Sequence, residues 1–210
     1  LIKFNNAGVR QWATYYGGTG DDLGRGTATD AATGDVYLSG QTESFNGIAS
    51  GGFQNTSFGA DAFLVKFSSS GTRLWATYYG GIGAEEGGYV ATDVGSNIYL
   101  AGDTYGASGI AFGGYDNSLT GQENGFVAQF DASGNRLCAT YYGQNHDEEG
   151  HVAVNFTNGN VYLAGFTPST SGIASGGSQN TFGGMFDAYL VKFAPCTPPP
   201  LAVELVSFTA

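Results

Sequence analysis

The sequence predicts an all-β protein, a β-propeller-like array of four-stranded antiparallel blades built on a 63-residue repeat. Three observations lead to this prediction: motifs that recur at a constant spacing, four short strand-like runs in each repeat, and a composition rich in glycine and aromatic residues. Of 210 residues, 36 are Gly, 13 are Tyr and 15 are Phe. Such a composition favours many short strands joined by tight turns.

Three motifs define the repeat. LVKF at 64–67 recurs as LIKF at 1–4, VAQF at 127–130 and LVKF at 190–193. QWATYYG at 11–17 returns as LWATYYG at 74–80 and LCATYYG at 137–143. VYLSG at 36–40 returns as IYLAG at 98–102 and VYLAG at 161–165. From Trp12 to Trp75 to Cys138 the step is 63 residues each time.

The middle repeat shows the strand pattern most clearly. Its strand-like runs cover residues 88–93, 97–102, 126–130 and 136–142. The connections at 94–96 and 131–135 have hairpin-turn chemistry, with Gly available where φ must be positive. Because no segment has helical periodicity, each repeat is predicted to be one four-stranded blade.

The phase of the repeat sets the predicted domain boundaries. The array is expected over residues 1–196, with units at about 1–63, 64–126 and 127–189 and a partial unit at 190–196. A Pro-rich junction and a terminal strand are expected over 197–210. The chain opens with the third and fourth strands of a blade, so the count is about three and a half blades, below the four that usually close a ring. We therefore expect further blades, association of chains, or an open arc.

Several of these segments resemble a known bacterial repeat. DAFLVKF at 61–67, LWATYYGG at 74–81 and NIYLAG at 97–102 look like the β-propeller repeat called SBBP. PPPLAVELVSF at 198–208 is similar to a junction found in bacterial proteins exported by the type IX secretion system. The resemblance implies a secreted or cell-surface propeller, and it implies no shared catalytic residues.

Charge and hydropathy exclude some partners. The net charge is −11, from 18 acidic and 7 basic residues. Nucleic acid is excluded as a partner because phosphate binding needs clustered Lys and Arg. Membrane insertion is excluded because no apolar run reaches about 18 residues.

Acidic residues recur at one register, in the loop after each fourth strand: Asp22, Glu85 and Glu148. With loop carbonyls they are candidate ligands for Ca²⁺, which takes several oxygen ligands. The favoured interpretation is a turn cap, in which the carboxylate accepts backbone N–H bonds. A glycosidase is disfavoured because a catalytic acid pair should occur once, whereas these acids recur with the repeat. His146 and His151 flank one of these loops, and solvated side chains are favoured there over a zinc site.

The second Tyr of each pair is a candidate for a ligand-binding, sugar-stacking surface: Tyr16, Tyr79 and Tyr142. Alternation along a strand sends the two Tyr of a pair to opposite faces, so at most one per pair is expected to be buried. Packing between blades is favoured over ligand binding, because aromatic side chains bury a large area.

Two cysteines are candidates for a disulfide. Cys138 replaces the Trp of the repeat, and Cys196 lies just past the last recognisable strand. Pairing would tie the terminal segment to the preceding blade. The alternative stays open, because residues on neighbouring blades can exceed the roughly 7 Å Cα separation that a disulfide spans.

The predicted function is a non-enzymatic secreted or cell-surface module for structure, adhesion or interaction, able to self-assemble through terminal strands or missing blades. Its expected partners are a protein, a surface glycan or a second copy of the chain. The segments first expected to contact a partner are the long loops at 42–60, 104–124 and 167–186. The alternative is a carbohydrate- or Ca²⁺-binding propeller module of a larger exported protein. No other cofactor is expected.

Overall fold

The computed structural model describes residues 1–144, 150–194 and 196, and within them it confirms the all-β fold class. These residues contain thirteen strands and no helix. The described part of the chain therefore contains no helical membrane span. The terminal strand expected after Cys196 and the acids at 147–149 lie outside the described residues.

The strands form four antiparallel sheets in chain order. The first sheet pairs β1 (Ile2–Phe4) with β2 (Arg10–Ala13). The second contains β3 (Asp22–Thr29), β4 (Val36–Thr42), β5 (Asp61–Phe67) and β6 (Arg73–Tyr79). The third contains β7 (Glu85–Thr92), β8 (Ile98–Thr104), β9 (Asn124–Phe130) and β10 (Arg136–Tyr142). The fourth contains β11 (His151–Val154), β12 (Val161–Thr167) and β13 (Asp187–Phe193).

Each strand pairs with its neighbour in sequence, as expected of short connections. The middle strands β5 and β9 are buried along their whole length, whereas β3 alternates between exposed and half-buried residues. A middle strand with sheets on both sides needs a continuous apolar run rather than alternation, and DAFLVKF supplies one.

Three of the four strands predicted in the middle repeat differ from the structure by one to three residues at their ends. The first strand of the third sheet begins at Glu85 rather than at residue 88. The Glu85 N–H donates to the Ala60 carbonyl of the second sheet at 2.7 Å, and Glu85 pairs with Thr104 in its own sheet. Glu85 therefore belongs to the strand, because it pairs within its own sheet and its backbone N–H bonds to the residue before β5.

The long loops are ordered along the fourth strands. Residues in the 43–60 loop form bridges with β6, at Ser50–Ala76 and Gln54–Tyr78. The 105–123 loop makes the equivalent bridges with β10, at Phe112–Ala139 and Asp116–Tyr141. The loop backbone therefore covers the outer edge of each complete sheet, which removes an exposed edge.

Consecutive sheets pack through aromatic side chains. We call the contacts between the first and second, second and third, and third and fourth sheets the first, second and third interfaces. At each, the second Tyr of a fourth strand packs on two aromatic rings of the next sheet, with centroid distances of 5.4–5.8 Å. The Tyr residues are Tyr16, Tyr79 and Tyr142, and their partners are Phe63 with Phe67, Phe126 with Phe130, and Tyr189 with Phe193.

The expectation that only one Tyr of each pair is buried was wrong for the two complete sheets. Tyr78 and Tyr79 are 1% and 0% exposed, and Tyr141 and Tyr142 are 1% and 8% exposed. The second Tyr of each pair packs on the next sheet, whereas the first Tyr is covered by the long loop of its own sheet. The Tyr78 hydroxyl donates to the Ser44 carbonyl and the Tyr141 hydroxyl to the Gly106 carbonyl, both at 2.8 Å. Only in the first sheet does a Tyr of the pair, Tyr15, stay fully exposed.

A second contact at the interfaces involves the Trp of the repeat. The Trp12 indole N–H donates to the Ser69 carbonyl, and that of Trp75 donates to the Ala132 carbonyl, both at 3.1 Å. Each indole also covers a turn glycine of the next sheet, Gly71 or Gly134. These glycines have φ of 91° and 85°, and a Cβ there would lie about 3 Å from the indole ring.

We predict that Trp75→Phe lowers the free energy of unfolding by about 2 kcal/mol, since it removes a buried hydrogen bond and leaves space against the turn. Chemical denaturation followed by circular dichroism measures the loss. Trp12→Phe is the matched control, because Trp12 makes the same bond at a more exposed position, and its loss should be less than half as large. Equal losses would contradict the burial argument.

Candidate functional site

The acidic residues Asp22 and Glu85, which follow a fourth strand in the sequence, each begin the first strand of the next sheet. Asp22, the first residue of β3, accepts hydrogen bonds from the Gly18 N–H at 2.8 Å and from the Thr42 and Ser44 hydroxyls. Glu85, the first residue of β7, accepts from the Gly81 N–H at 3.1 Å and the Thr104 hydroxyl at 2.8 Å. The backbone donor lies four residues before the acid in both cases. These contacts are those of a turn cap.

The two described acids, Asp22 and Glu85, already serve as hydrogen-bond acceptors. Their oxygens accept from N–H and O–H donors, and no three His, Cys, Asp or Glu side chains converge on one point in the described ranges. Glu148, the third acid of this register, lies outside the described residues, as does His146. His151 stacks on Tyr89, with ring centroids 3.6 Å apart.

A second buried acid faces Glu85, and the sequence did not single it out. Asp61, the first residue of β5, is 0% exposed, as is Glu85. The two carboxyl groups are within hydrogen-bonding reach across the second interface. Burial is the largest influence on both, and it raises the pKa of Asp61 to about 6 and that of Glu85 to about 7. One feature of the sequence could have pointed to Asp61: an acid or amide recurs at positions 61, 124 and 187, each the first residue of a third strand.

The candidate ligand-binding tyrosines serve the interfaces instead. Their hydroxyls donate to the carbonyl of the Ile in the next sheet's long loop, at 2.5–2.6 Å: Tyr16 to Ile48, Tyr79 to Ile110 and Tyr142 to Ile173. Burial raises the pKa of Tyr16 to about 12 and also raises that of Tyr79, so both hydroxyls stay protonated and remain donors. These rings offer no free stacking face comparable to Tyr15.

The third interface replaces the Trp contact by a covalent bond. Cys138 and Cys196 form a disulfide, with a Cα–Cα distance of 6.4 Å. Cys138 occupies the position of Trp75, and Cys196 lies 64 residues after Ala132, the residue whose carbonyl the Trp75 indole contacts. The Cys196 N–H also donates to the Gln129 side chain at 2.9 Å. Gln129 stands where Lys66 of the second sheet donates to the Ala132 carbonyl.

Lys66 is a buried charged residue at the second interface. Lys66 is 6% exposed and forms an ion pair with Asp35 at 3.1 Å. Lys3, its counterpart in the first sheet, donates to the Ser69 carbonyl at 2.8 Å. Lys3 and Lys66 therefore both donate to a turn carbonyl of the next sheet.

Exposed aromatic side chains are concentrated in the long loops. Those of the first two loops that are more than 40% exposed are Phe45, Phe53, Phe58, Tyr105, Phe112 and Tyr115. Phe53 and Phe112 flank the Arg136 guanidinium, at 4.4 and 5.1 Å from its carbon. Phe45 and Phe58 are the two most exposed of the first loop, at 71% and 59%.

Neither protein-family models nor curated proteins match this chain.

We predict that the Cys138→Ser/Cys196→Ser double variant lowers the free energy of unfolding by about 2–5 kcal/mol, because the disulfide restrains the unfolded chain over a 58-residue separation. Urea denaturation of the variant and of the parent protein measures it. Adding reductant should lower the parent's midpoint toward that of the variant and leave the variant unchanged. A parent midpoint that matches the variant without reductant would show that the bond contributes nothing.

Proposed function

We propose that this chain is a β-propeller-like array of SBBP-type blades that acts as a non-enzymatic structural, adhesion or interaction module of an exported bacterial protein. The observation that carries the proposal is the recurrence of the same contacts at successive interfaces. Tyr hydroxyl to Ile carbonyl occurs at all three, and Trp indole to turn carbonyl at the first two. Identical contacts at successive interfaces are the mark of a scaffold.

The blade assignment rests on strand number and order. The second and third sheets each contain four antiparallel strands in sequence order, the arrangement of a propeller blade. The first strands β3, β7 and β11 come together across the interfaces, with β7 in contact with both of the others. A radial array brings the first strands of successive blades closest to one another, which supports the propeller reading over two sheets packed face to face.

Export to an oxidising compartment is supported by the disulfide. Cys138 and Cys196 are paired, and protein disulfides persist outside the reducing cytosol. The acidic net charge of −11 adds solubility without creating an affinity for phosphate groups. Both features suit a secreted or cell-surface protein.

Self-association is the second part of the proposal. The described residues contain two complete four-stranded sheets, whereas a propeller ring usually has at least four blades. We propose that a second copy supplies blades to a common ring. Light scattering combined with electron microscopy of the purified chain tests this point. We expect particles that contain at least two copies of the 21.7 kDa chain. A monomer at all concentrations would reject self-association. The scaffold would then have to contact its partners through the long loops.

Glycan binding is the alternative that the exposed loop aromatics favour, because aromatic faces stack on sugar rings. We expect Phe45→Ala/Phe58→Ala to reduce retention on a glycan array or on intact bacterial surfaces by more than tenfold while the melting temperature is unchanged. Val94→Ala is the matched control, since Val94 is equally exposed but lies in the β7–β8 turn. Retention that is absent in the parent protein, or unaffected by the loop variant, would reject glycan binding by this surface.

A further inference from the structure

The second interface contains a pair of acids that the scaffold contacts above leave unexplained. Asp61 begins β5 of the second sheet and Glu85 begins β7 of the third, and both are fully buried. Neither takes part in the ion pairs of the described residues, which are Arg25–Glu86 and Lys66–Asp35. Two ionised carboxylates in a dry interface without a cation would repel each other and lack solvation.

Counting donors identifies what is missing. The Glu85 oxygens accept from the Gly81 N–H and the Thr104 hydroxyl, and Asp61 Oδ2 accepts from the Phe58 N–H at 3.1 Å. Asp61 Oδ1 is buried and has no donor from any other group in the described part of the chain. A proton on Glu85 supplies that donor, since the two carboxyl groups are within hydrogen-bonding reach.

We propose that Asp61 and Glu85 share one proton, and that this proton makes the second interface a pH-sensitive contact, closed in acid and weakened in base. Gly80 makes the approach of the two acids possible. A Cβ at this position would lie within 2.5 Å of both Asp61 Oδ1 and Glu85 Oε2.

The groups that surround Asp61 and Glu85 are neutral, so they do not compete for the shared proton. Tyr78 and Tyr79 face it from β6 and Tyr141 from β10, and burial raises the pKa of all three, so they remain neutral. The Thr104 hydroxyl faces it from β8 and the Ser57 hydroxyl from the loop before β5. No cation from any of these elements neutralises the pair.

A divalent cation is a poorer occupant than a proton. Calcium takes six to eight oxygen ligands, and here only one carboxyl oxygen lacks a donor. In the third sheet, Asn124 occupies the position of Asp61 and is likewise fully buried. An amide carries its own N–H donors at every pH and does not titrate, so this position offers a natural model for a variant of Asp61.

The direction of the pH dependence follows from the two raised pKa values. The folded protein holds the proton more tightly than the unfolded chain, so the contribution to stability is complete below about pH 4 and declines as the pH rises. It is lost once the pH passes about 7, the higher of the two folded-state values.

The test is urea denaturation of the parent protein and of the Asp61→Asn variant between pH 5 and pH 8. We expect the unfolding equilibrium constant of the parent to rise about 10- to 100-fold over this range, because each unit of raised pKa corresponds to a factor of ten. Asp61→Asn, which copies Asn124, should lose most of this rise. Glu86→Gln, an adjacent exposed acid, is the control and should keep it.

Two results would overturn the proposal. One is an Asp61→Asn variant with the same pH slope as the parent. The other is a parent that 1 mM Ca²⁺ stabilises at pH 8, since that would assign the pair to a cation. If Asp61→Asn does not fold, proton release on unfolding at pH 6 decides instead. The parent should release close to one proton more than the Glu85→Gln variant, and equal release would reject the pair.

Discussion

The packing of one Tyr ring from each fourth strand onto the next sheet is the interaction on which the remaining structure depends. It buries a large apolar area, and its hydroxyl satisfies a loop carbonyl that the same packing removes from water. A sheet of three or four strands has two faces, and without a neighbour the apolar residues of β5 or β9 would be exposed. Contact between sheets therefore stabilises each sheet as well as the array.

The same constraint explains the glycine content near the interfaces. Gly71 and Gly134 lie under an indole ring, and Gly80 lies under two carboxyl groups. At each, a side chain would occupy space already filled by the neighbouring sheet. Close approach accounts for glycine at Gly80, and close approach together with a positive φ accounts for it at Gly71 and Gly134.

The third interface differs from the others in chemistry but not in location. A disulfide replaces the indole hydrogen bond, Gln129 replaces a buried lysine, and Asn124 replaces a buried acid. All three changes remove a titratable or weaker contact from the last interface of the described chain. If Asp61 and Glu85 share a proton, the second interface is the one that responds to pH, while the third is held covalently.

The strands, their order and their turns could be predicted from the sequence, because they depend on local alternation, glycine placement and a period that is visible along the chain. The tertiary structure decided which side chains are buried. The burial of both Tyr78 and Tyr79 requires knowing that the long loop covers the second face. The pairing of Asp61 with Glu85 and of Cys138 with Cys196 depends on the distance between sheets, which no spacing along a single repeat encodes. A periodic sequence predicts the unit well, but contacts between units arise only when two copies are placed side by side.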